Sequence, residues 1–135
     1  MARSVVVDAG FVIALLSRRD ANHEWAAAES ARHAVPWRTC EAALSESFHL
    51  LGPAGARSLA ELLRRRALVA SFAFDDERDR VLKLMEKYAD VPMSFADACL
   101  VRMSETLADP VLLTTDTDFL VYRRHSRQTV PCVMP

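Results

Sequence analysis

The most constraining feature of this sequence is a run of three valines that ends directly at an aspartate, Val5-Val6-Val7-Asp8. β-branched residues with no polar side chain between them predict a short strand that is buried on both faces, as in parallel sheets. Residues 111–113, Val-Leu-Leu, predict a second strand of this kind, which is followed by Thr114, Thr115 and Asp116. Both strands therefore end close to a carboxylate.

Helical patterns alternate with these strands along the chain. We expect strands also over residues 34–35, 67–70 and 129–133. We expect helices over residues 10–16, 21–33 (capped by Asp20), 40–51 (capped by Thr39), 53–66, 75–88, 94–109 and 118–122. Apolar strands that alternate with helices predict parallel β-α-β crossovers, and hence an α/β fold: a three-layer α/β/α sandwich around a central, mainly parallel sheet. No repeat or linker divides residues 1–135, which we interpret as one domain.

Composition excludes several classes of protein. The net charge is −1 and the chain has only three glycines, so it has neither a basic field that attracts nucleic acid nor a glycine-rich phosphate loop. Its three cysteines are widely spaced and form neither a disulfide framework nor a zinc half-site. No run reaches the ~18 apolar residues that span a bilayer. These features predict a cytoplasmic protein without a membrane partner.

Asp8 and Asp116 follow the two clearest strands, and in parallel sheets ligands bind at the carboxyl ends of strands. Each aspartate alone is also explained as the cap of the next helix. Because both strands end in a carboxylate at the same edge, we interpret Asp8 and Asp116 as functional.

Glu46 and Asp97 are the next candidates. On a helical wheel Glu41 falls on the polar side of its helix, whereas Glu46 falls between Ala42 and Leu50, where an uncompensated carboxylate is costly. Asp97 lies three residues after Ser94, which is also the spacing of a capping box.

Suppose that the four carboxylates converge. Like charges a few Å apart repel, so some of them would stay protonated unless a cation is present. An all-oxygen site favours Mg²⁺ or Mn²⁺ over zinc. Such an ion can orient a phosphodiester, lower the pKa of a water and stabilise charge on phosphate oxygens, so the pattern predicts metal-dependent phosphoester chemistry.

At these residues the sequence resembles the PIN domain family, small metal-dependent ribonucleases that include the VapC toxins of bacterial toxin–antitoxin modules. The resemblance lies in the opening segment, residues 5–16, in residues 20–26, in Glu46 within its helix, in Ser94-Phe95-Ala96-Asp97-Ala98, and in Thr114-Thr115-Asp116-Thr117-Asp118-Phe119. These motifs follow one another in the family's order along nearly the whole chain.

The resemblance implies an endoribonuclease that hydrolyses RNA phosphodiester bonds, with Asp8, Glu46, Asp97 and Asp116 as metal ligands or organisers of ligand waters. It implies that Thr114 and Asp118 support the same site. It further implies a single-stranded or structured RNA substrate, a homodimer and often a small antitoxin partner. One position departs from the pattern, since Ala9 stands where many relatives carry Thr or Ser.

Three arginines after the last motif, Arg123, Arg124 and Arg127, are candidates for contact with an RNA backbone, although simple solvation also explains them. Two other functions stay open. One is a catalytically inactive PIN-fold module that serves binding or assembly. The other is a haloacid-dehalogenase-type phosphatase, although that chemistry normally has a second aspartate where Gly10 stands.

Overall fold

The computed structural model describes residues 2–135. Its strands are β1 (Ser4–Val7), β2 (Trp37–Thr39), β3 (Leu68–Ala70), β4 (Pro110–Leu113), β5 (Arg123–Arg124), β6 (Gln128–Thr129) and β7 (Cys132–Val133). Its helices are α1 (Ala9–Leu16), α2 (His23–Ser30), α3 (Glu41–Arg64), α4 (Phe74–Lys87) and α5 (Phe95–Thr106), and one turn of 3-10 helix covers Thr117–Leu120. No helix within residues 2–135 combines the length and the apolar character that a bilayer crossing requires.

Five strands form one sheet in the order β3-β2-β1-β4-β7, in which all neighbouring pairs are parallel. The chain builds outward from β1 to β3 and then returns to the other side of β1 with β4. Strand order therefore reverses between β1 and β4, which is where ligands bind in open α/β sheets. The prediction of a three-layer α/β/α fold with a mainly parallel sheet is confirmed.

The valine run explains why the sheet is covered on both faces. Val6 packs into a core with residues of α4 and α5, whereas Val5 and Val7 pack into a second core with residues of α1 and α2. Successive side chains of a strand point to opposite faces, so one uninterrupted apolar run serves both cores.

The break predicted after residue 51 is also present. Gly52 has a φ of 73° inside α3, a left-handed conformation that glycine adopts without a steric cost. Pro53 begins the second half of the helix, where its missing N–H is not needed. The first half of α3 thus ends before Gly52 and carries Glu46 toward the sheet edge.

Two predictions around the second strand are wrong. Residues 34–35 form no strand: Val35 is 54% exposed, and the ladder begins after Pro36, with the Trp37 N–H donating to the Ala67 carbonyl at 2.8 Å. Thr39 belongs to β2 and does not cap the next helix. Its hydroxyl donates to the Val7 carbonyl at 2.8 Å, which links β2 to β1.

Two other boundaries differ from the prediction. The helix expected over residues 21–33 is only α2, because the Asp20 carboxylate accepts from the Asn22 N–H at 2.8 Å and so caps a turn that precedes the helix. The strand expected over residues 129–133 is divided at Pro131, which has no N–H for a ladder. Its first part pairs antiparallel with β5, and its second part, β7, joins the main sheet beside β4.

Candidate active site

Asp8 is held at the junction of β1 and β4. Val7 and Leu113 are register partners, so Asp8 and Thr114 leave the sheet side by side. The Thr114 hydroxyl donates to Asp8 Oδ2 at 2.7 Å, and the Ala9 N–H donates to Asp8 Oδ1 at 2.7 Å. The Asp8 side chain is therefore fixed at both oxygens, in a position that is only 6% exposed.

The segment after β4 places two further carboxylates. The Asp116 N–H donates to the Thr114 hydroxyl oxygen at 3.0 Å, and Asp116 Oδ1 accepts from the Asp118 N–H at 2.9 Å. This cap starts the 3-10 turn and fixes Asp116 and Asp118 close together. Thr114 thus contacts Asp8 through its hydrogen and Asp116 through its oxygen.

Asp97 enters from the first turn of α5. Its N–H donates to the Ser94 hydroxyl oxygen at 3.0 Å, so the capping role of Ser94 is present. The Asp97 carboxylate also interacts with Ser94, whose side chain and backbone help to lower its pKa. Its Oδ2 accepts from the Tyr122 hydroxyl at 2.9 Å inside the protein.

These elements bring the predicted acidic residues to one place. Carboxylate oxygens of Asp97, Asp116 and Asp118 lie within 4.8 Å of one another. Asp8 and Glu46 line the same cavity, which has a volume of about 390 Å³ and is also lined by Gly10, Pro92, Ser94 and Thr115. Asp118, which the sequence suggested only as a supporting residue, belongs to the tightest group of three.

Glu46 reaches this cavity for a different reason from the one the helical wheel gave. The wheel placed it beside an apolar neighbour, Leu50, but Leu50 is 59% exposed and Glu46 is exposed as well. Its carboxylate therefore carries no burial cost of the kind predicted. What distinguishes it from Glu41, which is also exposed, is its position in the cavity wall.

In the absence of a cation, the cavity disfavours ionisation of its buried carboxyl groups. Burial raises the pKa of Asp8 to about 6 from 3.8, and the neighbouring carboxylates of Asp97 and Glu46 add to this rise, against the hydrogen bond from Thr114. The pKa of Asp97 is also raised, mainly by burial and further by Asp116, although its hydrogen bond with Tyr122 lowers it. A bound cation would reverse both effects.

Close packing against Thr115 explains why residue 10 is a glycine. A Cβ added to Gly10 would overlap the Thr115 hydroxyl, so a larger residue would displace Thr115 from its place in the cavity wall. Ala9 is 2% exposed and has no hydroxyl, and its contribution to the site is the backbone N–H bound to Asp8.

The three candidate arginines differ in what their side chains contact. The Arg123 guanidinium donates to three backbone carbonyls, at Leu120, Val121 and Tyr122. The Arg124 guanidinium donates to the Ser104 carbonyl. Arg127 is exposed in the turn between β5 and β6.

A comparison with known proteins agrees with this architecture. The model of the PIN domain family matches residues 5–124, a span that contains all five acidic residues of the cavity. The chain belongs to the PIN domain family. Membership of this family excludes the alternative of a haloacid-dehalogenase-type phosphatase, which belongs to a different family.

Among solved structures, this PIN domain is similar to VapC20 of Mycobacterium tuberculosis, described as a sarcin–ricin loop cleaving toxin. The TM-score is 0.69 at 22% sequence identity, and the match covers 85% of this chain and 92% of VapC20. At this level of sequence identity, the similarity is evidence for a shared fold alone. No curated protein is similar enough in sequence to this chain to count as a match.

Proposed function

We propose that this PIN domain is a divalent-cation-dependent endoribonuclease that hydrolyses RNA phosphodiester bonds. The observation that carries the proposal is the meeting of five carboxylates in one cavity at the carboxyl edge of the sheet. They come from α3, α5 and the segments that follow β1 and β4. In a protein that belongs to the PIN domain family, this cavity is where the family's chemistry is expected.

The donor set fits Mg²⁺ or Mn²⁺. Asp97, Asp116 and Asp118 offer carboxylate oxygens within 4.8 Å of one another, and among residues 2–135 no histidine or cysteine lines this cavity. Hard oxygen ligands of this kind suit Mg²⁺ and Mn²⁺. Asp8 and Glu46, in the same wall, would add negative charge or hold ligand waters.

When bound, such an ion supplies Lewis acidity to a water and to the phosphate oxygens. The protein supplies the arrangement around it. The Thr114 hydroxyl and the Ala9 N–H hold the Asp8 carboxylate in one orientation, and the Asp116 cap holds Asp118. A carboxylate that is held in place before substrate arrives loses little entropy in the reaction.

In the metal-free protein the pKa of the Asp8 carboxyl is about 6. A bound cation would lower this pKa, so Asp8 would stay ionised near neutral pH. The ionised carboxylate would then be available to hold a ligand water.

The proposal extends to substrate and partners. Arg127, exposed on the β5–β6 turn, is the arginine of the three that we propose to meet an RNA backbone directly, whereas Arg123 and Arg124 stabilise the surrounding backbone. We further propose a toxin role, because VapC20 is named as a toxin and shares this fold. The homodimer and the small antitoxin that covers the cavity are proposed from the resemblance to the PIN domain family alone. A cytoplasmic location stays a prediction.

The experiment that tests the function uses a random-sequence pool of single-stranded RNA, with DNA of the same design as control. We expect cleavage of the RNA with Mn²⁺ or Mg²⁺, products with 5′-phosphate and 3′-hydroxyl ends, and loss of activity in EDTA that added Mn²⁺ restores. End-group sequencing measures the products.

Two results would contradict the proposal. Cleavage that persists in EDTA, or that leaves cyclic phosphates, would exclude metal-assisted attack by water. Carboxylate-dependent Mn²⁺ binding without cleavage of any RNA, including total bacterial RNA, would favour the alternative of an inactive binding or assembly module.

A further inference from the structure

Tyr122 is fully buried at the edge of the candidate site, directly after two exposed residues of the chain. Its exposure is 0%, whereas Leu120 and Val121 before it are 60% and 53% exposed. Its ring packs edge-to-face against Phe119 and Tyr88, with ring centroids 5.2 and 5.1 Å away. A phenylalanine would satisfy this packing, so packing does not account for the hydroxyl.

Within the part of the chain that the structure describes, the hydroxyl group has a single partner, Asp97 Oδ2, at 2.9 Å. Burying an unpaired hydroxyl costs free energy, so its position is tied to that carboxylate. The same hydrogen bond restricts rotation of the Asp97 carboxylate about χ2, the torsion that varies most widely in aspartate side chains.

The same hydrogen bond joins the two segments that supply the tightest group of carboxylates. Tyr122 follows the 3-10 turn of Asp116 and Asp118, and its own N–H donates to the Asp118 carbonyl at 3.2 Å. Asp97 lies on α5. The hydroxyl therefore fixes where the α5 carboxylate stands relative to the other two.

We propose that Tyr122 is a positioning residue for the divalent-cation site, which acts by orienting the Asp97 carboxylate toward Asp116 and Asp118. This inference rests on the proposed function, because it assumes that these carboxylates bind a cation. Partners that orient metal-binding side chains typically contribute 10- to 100-fold to metal affinity or activity.

The test compares Tyr122→Phe with Tyr88→Phe. Tyr88 is the matched control, since its ring packs on Tyr122 but its hydroxyl oxygen accepts from the Arg123 N–H, away from Asp97. Mn²⁺ is titrated into each purified protein in the absence of RNA. Calorimetry and the electron paramagnetic resonance signal of free Mn²⁺ both measure the affinity. Circular dichroism checks that each variant is folded.

We expect Tyr122→Phe to weaken Mn²⁺ binding by about 10- to 100-fold and to lower kcat for RNA with little change in KM, whereas Tyr88→Phe leaves Mn²⁺ affinity unchanged. In an Asp97→Asn background, Tyr122→Phe should have a much smaller effect on Mn²⁺ affinity, because the amide that Tyr122 then orients carries no negative charge for the cation.

Unchanged or tighter Mn²⁺ binding by Tyr122→Phe would overturn the inference, as would an equal loss in Tyr88→Phe. An effect that adds fully to that of Asp97→Asn would do the same. None of these outcomes would contradict the proposed nuclease function. If the wild-type protein binds no Mn²⁺, the proposed function and the role of Tyr122 both fail.

Discussion

Asp97→Asn is expected to reduce RNA cleavage by about a thousandfold or more while the protein stays folded. Asparagine has the shape of aspartate, and its carbonyl oxygen can still accept from the Tyr122 hydroxyl, so the packing of α5 is kept. What it removes is one negative charge from the group formed with Asp116 and Asp118. A metal ion in such a site contributes several kcal/mol to transition-state stabilisation, and about 4 kcal/mol corresponds to a factor of about 10³.

The matched control for this variant is Asp79→Asn. Asp79 is an exposed aspartate on α4 outside the cavity, so its substitution removes the same charge without touching the site. Initial rates of cleavage of one labelled RNA, at saturating Mn²⁺ and in excess protein, give the comparison. Activity of Asp97→Asn within tenfold of the Asp79→Asn control would show that Asp97 has no role in catalysis.

Asp8→Asn is expected to stabilise the metal-free protein at pH 7 by about 1–3 kcal/mol. Asp8 has a pKa of about 6 in the folded protein against 3.8 when unperturbed, so the folded state holds the proton more tightly. The free energy of unfolding therefore falls as the pH rises from about 4 to about 6, and it stays low above pH 6. At about 1.4 kcal/mol for each pKa unit the loss amounts to about 3 kcal/mol. Asparagine, which is always neutral, avoids it.

Urea denaturation in EDTA at pH 4.5 and pH 7 measures this difference. The two proteins should be closest in stability at the lower pH, where Asp8 is largely protonated, and Asp8→Asn should be the more stable at pH 7. Asp97, whose pKa is also raised, gives both proteins some dependence in the same direction. Mn²⁺ should stabilise the wild-type protein more than the variant. A variant that is less stable than wild type at pH 7 in EDTA would contradict the account.

The fold was predictable where the signal is local and uninterrupted. The valine run before Asp8 and the apolar run before Thr114 were predictable as strands. A strand that is buried on both faces requires an uninterrupted run of apolar side chains. Predictions failed where a tertiary contact decided the outcome. The Thr39 hydroxyl donates to the Val7 carbonyl across the sheet. β7 separates from β6 at Pro131 and pairs instead with β4, whose register partners lie twenty residues upstream along the chain.

The site shows the same division. Strand ends indicated Asp8 and Asp116, and the ordered motifs indicated Glu46 and Asp97. The helical-wheel argument for Glu46 rested on an apolar neighbour that is exposed, so the correct location came with an incorrect reason. Tyr122 carried no sequence signal, since its partner Asp97 is 25 residues away and their contact exists only in the folded protein.

A titration of Mn²⁺ into wild-type, Glu46→Gln and Glu41→Gln proteins by isothermal calorimetry tests most directly whether acidic side chains from separate elements form one cation site. Both glutamates are exposed residues on the first half of α3, but only Glu46 lines the cavity. The account predicts that wild type and Glu41→Gln bind Mn²⁺ alike and that Glu46→Gln binds it about tenfold more weakly or worse. Absence of Mn²⁺ binding by the wild-type protein, or equal affinity in all three, would contradict it.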